Sequence, residues 1–393
     1  MDNLISPQNI FWFSICLLFY IYLGYFGVLK LFCQFVRKTK ILGSNVSNST
    51  PKVSIIVAAY NEEKVIRSKI LNLLELEFPK ENIEIIIASD GSTDNTVSIA
   101  KEFESETIRV LEFEQNRGRA SVHNDAVTLS HGEILIFTDV ETTFAPDFLQ
   151  KALVFFQDPQ YGCGTGDYTF EAQEKFGHTE SVYWRLEKRL LKMEHQLGIL
   201  PFASGGCLII RKSLWSPIPE HSDIDNCLPY RVVRMGYKVF YAENARAYDV
   251  TIEDSQTHYR KRVRTALRGI HGLLMELPPL LRKGCFKSIF VLISHRMMRY
   301  FTGCLLVIAI LINIWLLAYD QMVYKVTILL QALFYCLALL GWLEDKGLRS
   351  KIFEWIKYQQ VIYSFLLANI AFSVAIFKAM TGVKIKGYKP ASH

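Results

Sequence analysis

Apolar positions are concentrated at the two ends of the chain, and the first apolar block predicts a membrane anchor. Residues 9–36 are apolar for nearly their whole length. At about 1.5 Å rise per residue, such a helix spans the roughly 30 Å hydrocarbon layer of a bilayer. A basic run follows directly at residues 37–40, and the positive-inside rule places the next part of the chain in the cytoplasm. We therefore predict a transmembrane anchor over residues 1–42, rather than a removed signal peptide, and a polar linker over 43–50.

The middle of the chain, residues 51–270, alternates short apolar runs with helical patterns. Runs of strand length lie at residues 53–60, 83–89, 108–113 and 133–138. The acidic run at residues 61–63 is predicted to begin the first helix. Strands separated by helices predict an α/β domain with a doubly wound, Rossmann-like mixed sheet.

Beyond residue 144 the pattern is looser. It predicts an amphipathic helix at residues 183–197, short strands at 207–210 and 238–242, and a basic helix at 256–268. No internal repeat is visible.

The part of the chain after residue 270 returns to apolar patterns. Residues 271–300 are amphipathic with basic residues between the apolar ones, as in helices that lie on a membrane surface. Residues 301–343 predict two transmembrane helices. The last segment, 344–393, holds an apolar run at residues 361–377 and a basic tail. This run is either interfacial or re-entrant, or a fourth transmembrane helix that places the basic tail outside, against the positive-inside rule.

Composition supports this outline. Of the 393 residues, 50% are hydrophobic and 21% charged, and the basic residues behind the net charge of +6 stand beside apolar runs. No basic face with interleaved aromatic residues is present, so we expect no nucleic-acid partner. The 8 cysteines are scattered without a CxxC pair, as in reduced thiols. We predict an integral protein of the inner or plasma membrane with a cytoplasmic α/β domain.

Two acidic positions follow buried strands of this domain. Asp90 follows the run at 83–89, and Asp139 with Glu141 follows the run at 133–138. Open α/β sheets bind ligands beyond the carboxyl ends of their strands, so these carboxylates are expected to share a site. Residues two apart in an extended segment face one side, so Asp139 and Glu141 can face one ion. Their oxygen donors suit Mg²⁺ or Mn²⁺, which predicts a metal-assisted nucleotide site.

Six motifs carry a resemblance to a known family. In chain order they are VSIIVAAYNEE, IASDGSTDNT, NRGRASVHNDA, HGEILIFTDVE, ASGGCLIIRK and SDIDNCLPYRVVRMGYKVFY. Together they resemble the family-2 inverting glycosyltransferases of the GT-A fold, in their membrane-integrated form, which includes cellulose, chitin, hyaluronan and poly-N-acetylglucosamine synthases. The resemblance covers about residues 52–270. It implies a GT-A glycosyltransferase domain over 51–270.

The resemblance implies a role for each residue on the nucleotide side. Tyr60, Glu62 and Asp90 would hold the uridine, and Arg119 would approach the diphosphate or stabilise the Asp90 loop. Asp139 and Glu141 stand in the place of the family's DxD motif, with Glu in the third position. Asp139 would bind the metal directly, and Glu141 directly or through water.

On the acceptor side, the resemblance implies a catalytic base that removes a proton from the acceptor hydroxyl. It places this base on Asp225, with Asp223 as the alternative because the local sequence SDID departs from the family's ED pair. The resemblance also implies that a glycine-rich loop binds the acceptor; its residues are Ser204, Gly205 and Gly206. The alternative is that this loop is only the turn that leads into the next strand.

The family's QxxRW motif is altered here to KRVRT, without its Trp. Arg262 and Arg264 would still clamp the diphosphate, unless this segment is only a basic helix at the membrane surface. The missing Trp argues against a polymer channel built as in cellulose synthase.

These features predict an inverting glycosyltransferase that moves a sugar from a nucleotide-diphosphate donor, in the first place a UDP-sugar. The acceptor would be a lipid-linked saccharide or a glycan at the cytoplasmic membrane face, in polysaccharide or glycoconjugate synthesis. The alternatives are a processive polysaccharide synthase and a catalytically silent scaffold subunit of a polysaccharide export complex.

Overall fold

The computed structural model describes residues 6–36, 50–171, 177–220, 222–250, 255–348 and 358–384. Within these residues an eight-stranded sheet forms the centre of the molecule. The strands are β1 (Val53–Ala59), β2 (Ile83–Asp90), β3 (Ile108–Phe113), β4 (Ile134–Thr138), β5 (Thr143–Phe144), β6 (Tyr161–Glu171), β7 (Leu208–Arg211) and β8 (Lys238–Val250). Their order across the sheet is β3-β2-β1-β4-β7-β6-β8-β5.

The sheet is parallel on one side and mixed on the other. β1 pairs in parallel with β2 and β4, and β2 pairs in parallel with β3. β7 runs antiparallel to its neighbours β4 and β6, β6 and β8 are parallel, and β5 is antiparallel to β8. The predicted α/β class with a mixed sheet is therefore confirmed.

The helices cover both faces of the sheet and both ends of the chain. They are α1 (Pro7–Phe35), α2 (Ile66–Leu74), α3 (Thr96–Lys101), α4 (Arg119–Leu129), α5 (Phe148–Leu153), α6 (Gly177–Gln196), α7 (Leu228–Arg234), α8 (Ser255–Arg282), α9 (Phe286–Val291), α10 (Met298–Tyr300), α11 (Thr302–Leu316), α12 (Met322–Asp345) and α13 (Gln359–Met380). A π-helical stretch, Leu292–Met297, connects α9 to α10.

Two hydrophobic cores form because neighbouring strand residues point to opposite faces of the sheet. Ile55 enters the core under α2 and α5, whereas Ile56 enters the core under α4 and α7. Both side chains are completely buried. Burial of one such side chain stabilises the fold by about 1.5–3 kcal/mol. The apolar residues on both faces of the central strands therefore stabilise the sheet.

Two predictions about this domain are wrong. Residues 61–63 do not begin a helix: Asn61 has a φ of 55°, and α2 begins only at Ile66. The Asn61 side chain accepts a hydrogen bond from the backbone N–H of Thr93 at 2.8 Å, so the segment is a turn that joins two strand ends. The sequence pattern also missed strands β5 and β6, and it ended β8 at residue 242, whereas this strand continues to Val250.

Among the described residues, four helices are long and apolar enough to cross a membrane: Pro7–Phe35, Thr302–Tyr319, Met322–Asp345 and Gln359–Met380. The last of these, α13, is one helix of 22 residues, and Asn369 lies inside it without breaking it. This continuity favours the fourth-span alternative over a re-entrant segment. The basic tail beyond residue 384 lies outside the described residues.

The membrane helices pack directly against the α/β domain. Ala375 of α13 is buried against Ala266 and Leu267 of α8. The hydroxyl of Tyr25 in α1 donates a 2.8 Å hydrogen bond to the buried Glu194 of α6. The apolar spans and the central domain therefore share side-chain contacts at both ends of the chain.

Candidate active site

A cavity of about 210 Å³ lies beyond the carboxyl ends of β1, β2 and β4. Every predicted site residue except Arg262 lines it. The lining residues that the sequence predicted are Tyr60, Glu62, Asp90, Arg119, Asp139, Glu141, Ser204, Gly205, Gly206, Asp223, Asp225 and Arg264. The carboxylates at the two strand ends and those before α7 therefore face one hollow.

Asp90 holds the loop that precedes α4. Its two carboxylate oxygens accept hydrogen bonds from the backbone N–H groups of Arg117 and Gly118, at 2.8 and 2.9 Å. Gly91 makes this approach possible, because a Cβ there would lie 2.6 Å from the backbone nitrogen of Asn116. Burial raises the pKa of Asp90, although both backbone N–H groups favour its charged form.

The turn after β1 is joined to the loop after β2. The backbone N–H of Glu62 donates to the hydroxyl of Thr96 at 2.7 Å, and that of Glu63 donates to Asp94 at 3.2 Å. This places the Glu62 side chain, which is 7% exposed, at the cavity. Burial and the nearby carboxylate of Glu141 raise the pKa of Glu62 to about 7. Tyr60 is half-buried at the same edge.

The acidic turn, residues 139–141, follows β4 directly. The guanidinium of Arg119 lies 2.8 Å from a carboxylate oxygen of Asp139. Burial alone would raise the pKa of Asp139, but Arg119, Lys261 and other nearby cationic groups hold it below its ordinary value. The carboxylates of Asp139 and Glu141 both line the cavity.

The oxygen donors of the acidic turn fit a hard divalent cation. Within the described parts of the chain, no group of three or more His, Cys, Asp or Glu side chains is arranged to hold an ion. Mg²⁺ in nucleotide sites is commonly bound by one or two carboxylates together with substrate phosphates and water, which is the donor set that Asp139 and Glu141 can offer.

Asp223 directly precedes the short turn Ile224–Asn226 before α7, and Asp225 lies within this turn. The two carboxylates differ in their surroundings. Arg268 of α8 forms an ion pair with Asp223 at 2.8 Å and donates to the carbonyl oxygen of Ser222 at 2.8 Å. Burial, and then the charge of Asp223, raise the pKa of Asp225 to about 7. Asp225 also lies beside Gly205, where a Cβ would be 3.7 Å from its Cγ.

The Ser204–Gly206 segment forms one wall of the cavity. The backbone N–H of Ser204 donates to the hydroxyl of Thr165 at 3.1 Å. At Gly206, a Cβ would lie only 2.5 Å from the ring of Tyr168. The hydroxyl of Tyr168 bonds in turn to the buried Asp249. Because Gly206 has no side chain, the Tyr168 ring, which Asp249 holds in place, can pack directly against this wall.

Helix α8 presents one basic face to the cavity. This face consists of Lys261, Arg264, Thr265 and Arg268. The prediction for Arg264 agrees with this placement, whereas Arg262 lies on another face of the helix and does not line the cavity. Sequence reasoning missed Lys261 and Arg268, although their helical spacing of three and four residues from Arg264 and Thr265 is the signal that groups them.

Two further polar residues of α4 have packing roles. His123 is buried against the ring of Phe137, with ring centroids 5.0 Å apart, and burial lowers its pKa to about 3. The Asn124 side chain exchanges two hydrogen bonds with the backbone of Ile218, at 3.0 and 2.8 Å. Both side chains therefore contribute to the packing of α4 against the domain.

Comparison with known proteins agrees with this arrangement. Residues 54–216 match the sequence model of the family described as "Glycosyl transferase family 2". A poly-β-1,6-N-acetyl-D-glucosamine synthase of Staphylococcus epidermidis is 24% identical over 282 residues, which cover 68% of this chain and 68% of that protein. An N-acetylglucosaminyltransferase of Rhizobium leguminosarum bv. viciae is 23% identical over 252 residues, 60% of this chain and 59% of that protein.

A solved structure shares the fold. The mannosyltransferase PcManGT of Pyrobaculum calidifontis, in complex with GDP-Man and Mn²⁺, has a TM-score of 0.61 and 19% identity over 92% of this chain and 99% of that chain. The mixed sheet and its flanking helices have the GT-A fold, and helices long and apolar enough to cross a membrane lie before and after it in the chain. The chain is a glycosyltransferase, and its residues 54–216 form a glycosyl transferase family 2 domain.

Proposed function

We propose that this glycosyltransferase moves a sugar, with inversion, from a UDP-sugar to a lipid-linked or glycan acceptor at the cytoplasmic face of the inner or plasma membrane. One observation carries the proposal: Asp90, Asp139 and Asp225 line a single cavity at the carboxyl ends of the central strands. A nucleotide, its diphosphate and an acceptor each need a carboxylate or a cation within reach. This cavity offers all of them.

The donor occupies the side of the cavity formed by β1, β2 and β4. Tyr60, Glu62 and Asp90 bind the nucleoside, and Arg119 and Arg264 approach the diphosphate. Asp139 and Glu141 hold Mg²⁺ or Mn²⁺, which when bound neutralises charge on the diphosphate leaving group. The geometry supports this assignment because the acidic turn and Arg119 lie within 2.8 Å of each other at one wall.

The acceptor occupies the side formed by Gly205, Asp223 and Asp225. A general base works best when its pKa lies near the working pH. Asp225, with its pKa raised to about 7, meets this condition. We assign it the removal of the proton from the acceptor hydroxyl. Asp223, held in an ion pair with Arg268, is the alternative base.

Contact between α8 and α13 supports an acceptor that arrives from the membrane. One face of α8 lines the cavity, while its residues Ala266 and Leu267 pack on Ala375 of the apolar α13. If α13 crosses the bilayer, the basic face of α8 lies at the membrane surface. A saccharide that remains attached to a lipid could then reach the cavity without leaving the membrane.

A donor panel tests the proposal. The purified full chain in nanodiscs, with Mn²⁺ or Mg²⁺, is incubated with UDP-N-acetylglucosamine, other UDP-sugars and GDP-mannose, and release of the nucleoside diphosphate is measured. We expect turnover with a UDP-sugar, first of all UDP-N-acetylglucosamine, because two relatives are named for N-acetylglucosamine transfer. Asp139→Asn should abolish turnover. Asp125→Asn, on the exposed side of α4 in an ion pair with Arg117, is the matched control and should leave it unchanged.

The outcomes separate the alternatives. Turnover with GDP-mannose alone overturns the UDP assignment. Products that lengthen with time on one acceptor identify a processive synthase, the alternative that the name of the staphylococcal relative favours. A chain that neither turns over any donor nor binds UDP with Mn²⁺ is a silent scaffold, and the proposal then fails.

A further inference from the structure

A buried lysine lies beneath the acidic turn. Lys69 of α2 is 3% exposed, and its ammonium group donates to the hydroxyl of Thr138 at 2.9 Å. It also donates to the carbonyl oxygen of Thr142. These two acceptors stand immediately before and after residues 139–141. One ammonium group therefore joins both ends of the turn that carries Asp139 and Glu141.

A second residue of α2 continues this contact. The side-chain amide of Asn72 donates to the carbonyl oxygen of Phe144 and accepts from its N–H, both at 2.9 Å. The ammonium group of Lys69 also lies 4.6 Å from the centre of the Phe144 ring. Lys69 and Asn72 are three residues apart and so share one face of α2. Helix α2 therefore forms hydrogen bonds to the segment from Thr138 to Phe144 at both of its ends.

Within the described part of the chain, both hydrogen bonds that the Lys69 ammonium group donates go to the two ends of the acidic turn. A buried ammonium group is costly unless its hydrogen-bonding capacity is used. Ile66, Ile70 and Leu73 on the same helix are apolar and completely buried, as a core-facing helix requires. An apolar residue at position 69 would leave the Thr138 hydroxyl and the Thr142 carbonyl oxygen without the hydrogen bonds that Lys69 donates.

We propose that Lys69 is a positioning residue that fixes the geometry of Asp139 and Glu141 for binding a divalent cation. The proposal rests on the proposed function, because it requires those two carboxylates to hold the ion. Groups that orient metal ligands from behind typically change metal affinity or activity by about tenfold to a hundredfold when they are removed. Lys69 acts in this way through the hydroxyl of Thr138 and the backbone carbonyl of Thr142, and it does not itself line the cavity.

The test compares Lys69→Met with Arg67→Met. Both substitutions replace a cationic side chain of α2 by a similar apolar one, but Arg67 is exposed and pairs with Glu102 on the surface. Mn²⁺ binding to the full chain is measured by electron paramagnetic resonance in the presence of UDP, and the Mn²⁺ dependence of turnover is measured alongside. We expect Lys69→Met to raise the half-saturating Mn²⁺ concentration about tenfold or more. Arg67→Met should leave it unchanged.

A second variant keeps the test decisive if Lys69→Met does not fold. Thr138→Val removes one acceptor of Lys69 while the side chain keeps its shape, and it should shift the Mn²⁺ dependence in the same direction by a smaller factor. A folded Lys69→Met or Thr138→Val with wild-type Mn²⁺ affinity overturns the positioning role. Wild-type protein that binds no Mn²⁺ with UDP, and needs none for turnover, instead overturns the metal assignment in the proposed function.

Discussion

The guanidinium of Arg119 lies 2.8 Å from a carboxylate oxygen of Asp139. Arg119 is the first residue of α4, and it directly follows Gly118, whose N–H binds Asp90. One short segment therefore connects the acidic residue at the end of β2 with the acidic turn after β4. A diphosphate bound between these strand ends would lie within reach of the same guanidinium.

This relationship predicts that Arg119→Met weakens donor binding. A hydrogen bond to a charged group contributes about 1.5–3 kcal/mol, so we expect KM for the nucleotide sugar to rise on the order of tenfold to a hundredfold. Steady-state kinetics at saturating acceptor measures the effect. Arg117→Met is the control, because the Arg117 side chain is exposed, pairs with Asp125 and stacks on Phe113. Equal KM values for the two variants would remove Arg119 from the diphosphate site.

Asp90 predicts a combined loss of stability and donor affinity. Each of its oxygens accepts one backbone N–H, and Asn can offer only one acceptor while its amide group faces the other N–H. Asp90→Asn should therefore destabilise the fold by about 1–3 kcal/mol and also raise KM for the donor. Thermal unfolding in detergent and donor titration measure the two effects.

Asp147→Asn serves as the comparison for Asp90. Asp147 forms a surface ion pair with Lys151, and such pairs contribute about 0–1 kcal/mol. An Asp90→Asn protein as stable as Asp147→Asn, with the donor affinity of the wild type, would show that the 117–118 loop does not depend on this carboxylate.

The sequence was sufficient for the strands that carry the acidic residues. β1, β2 and β4 are dense in Ile, Leu and Val, because parallel strands buried on both faces need apolar side chains. Polar residues stand where β2 and β4 end. Strand β6 could not be found in this way. Gly164 and Gly166 interrupt its pattern, and a Cβ at these positions would lie 2.4 Å from the ring of Phe240 and 2.6 Å from that of Phe148. The rings of Phe240 and Phe148, which are distant in sequence, fill the space beside these two glycines.

The helical spacing of basic residues in α8 predicts which of them face the cavity better than the family motif does. The family motif predicts Arg262 and Arg264 at the site. Of these two, Arg264 lines the cavity, and Lys261 and Arg268 line it as well. Lys69 had a comparable signal, since it interrupts the buried stripe of Ile66, Ile70 and Leu73 in a predicted helix. The partner of Lys69 could not be predicted, because the turn after β4 is close to α2 only in the folded chain.

The two glycines of the cavity wall predict opposite outcomes for one substitution. At Gly206, a Cβ would lie 2.5 Å from the Tyr168 ring and 3.0 Å from the Thr142 hydroxyl, and the ring is held by Asp249. Gly206→Ala should cost about 1–3 kcal/mol of stability and most of the activity. At Gly205, the nearest atom is 3.7 Å away, so Gly205→Ala should fold normally.

Thermal unfolding and turnover, measured on both alanine variants, check this contrast. Because the new methyl group at position 205 would stand beside Asp225, any loss in Gly205→Ala should appear as a higher KM for the acceptor. A Gly206→Ala protein with wild-type melting temperature and turnover would mean that the Tyr168 ring moves aside freely.

Asp225 predicts an acid limb in the pH profile of transfer. Burial and the charge of Asp223 raise the pKa of Asp225 to about 7, and a base is active only when it is ionised. The kcat/KM for the acceptor should therefore be constant above this pKa and fall about tenfold per pH unit below it. Asp223→Asn removes a like charge, so the limb should move to lower pH. Asp225→Asn should abolish transfer at every pH.

Glu62 provides the decisive comparison for this profile, since its pKa is also raised to about 7, by burial and by Glu141. If Asp225 is the base, Glu62→Gln changes donor binding but keeps the acid limb where it was. A limb that disappears in Glu62→Gln belongs to the donor side instead. If transfer is lost in Asp223→Asn while Asp225→Asn retains both activity and the limb, the base is Asp223, and Asp225 only sets the charge around it.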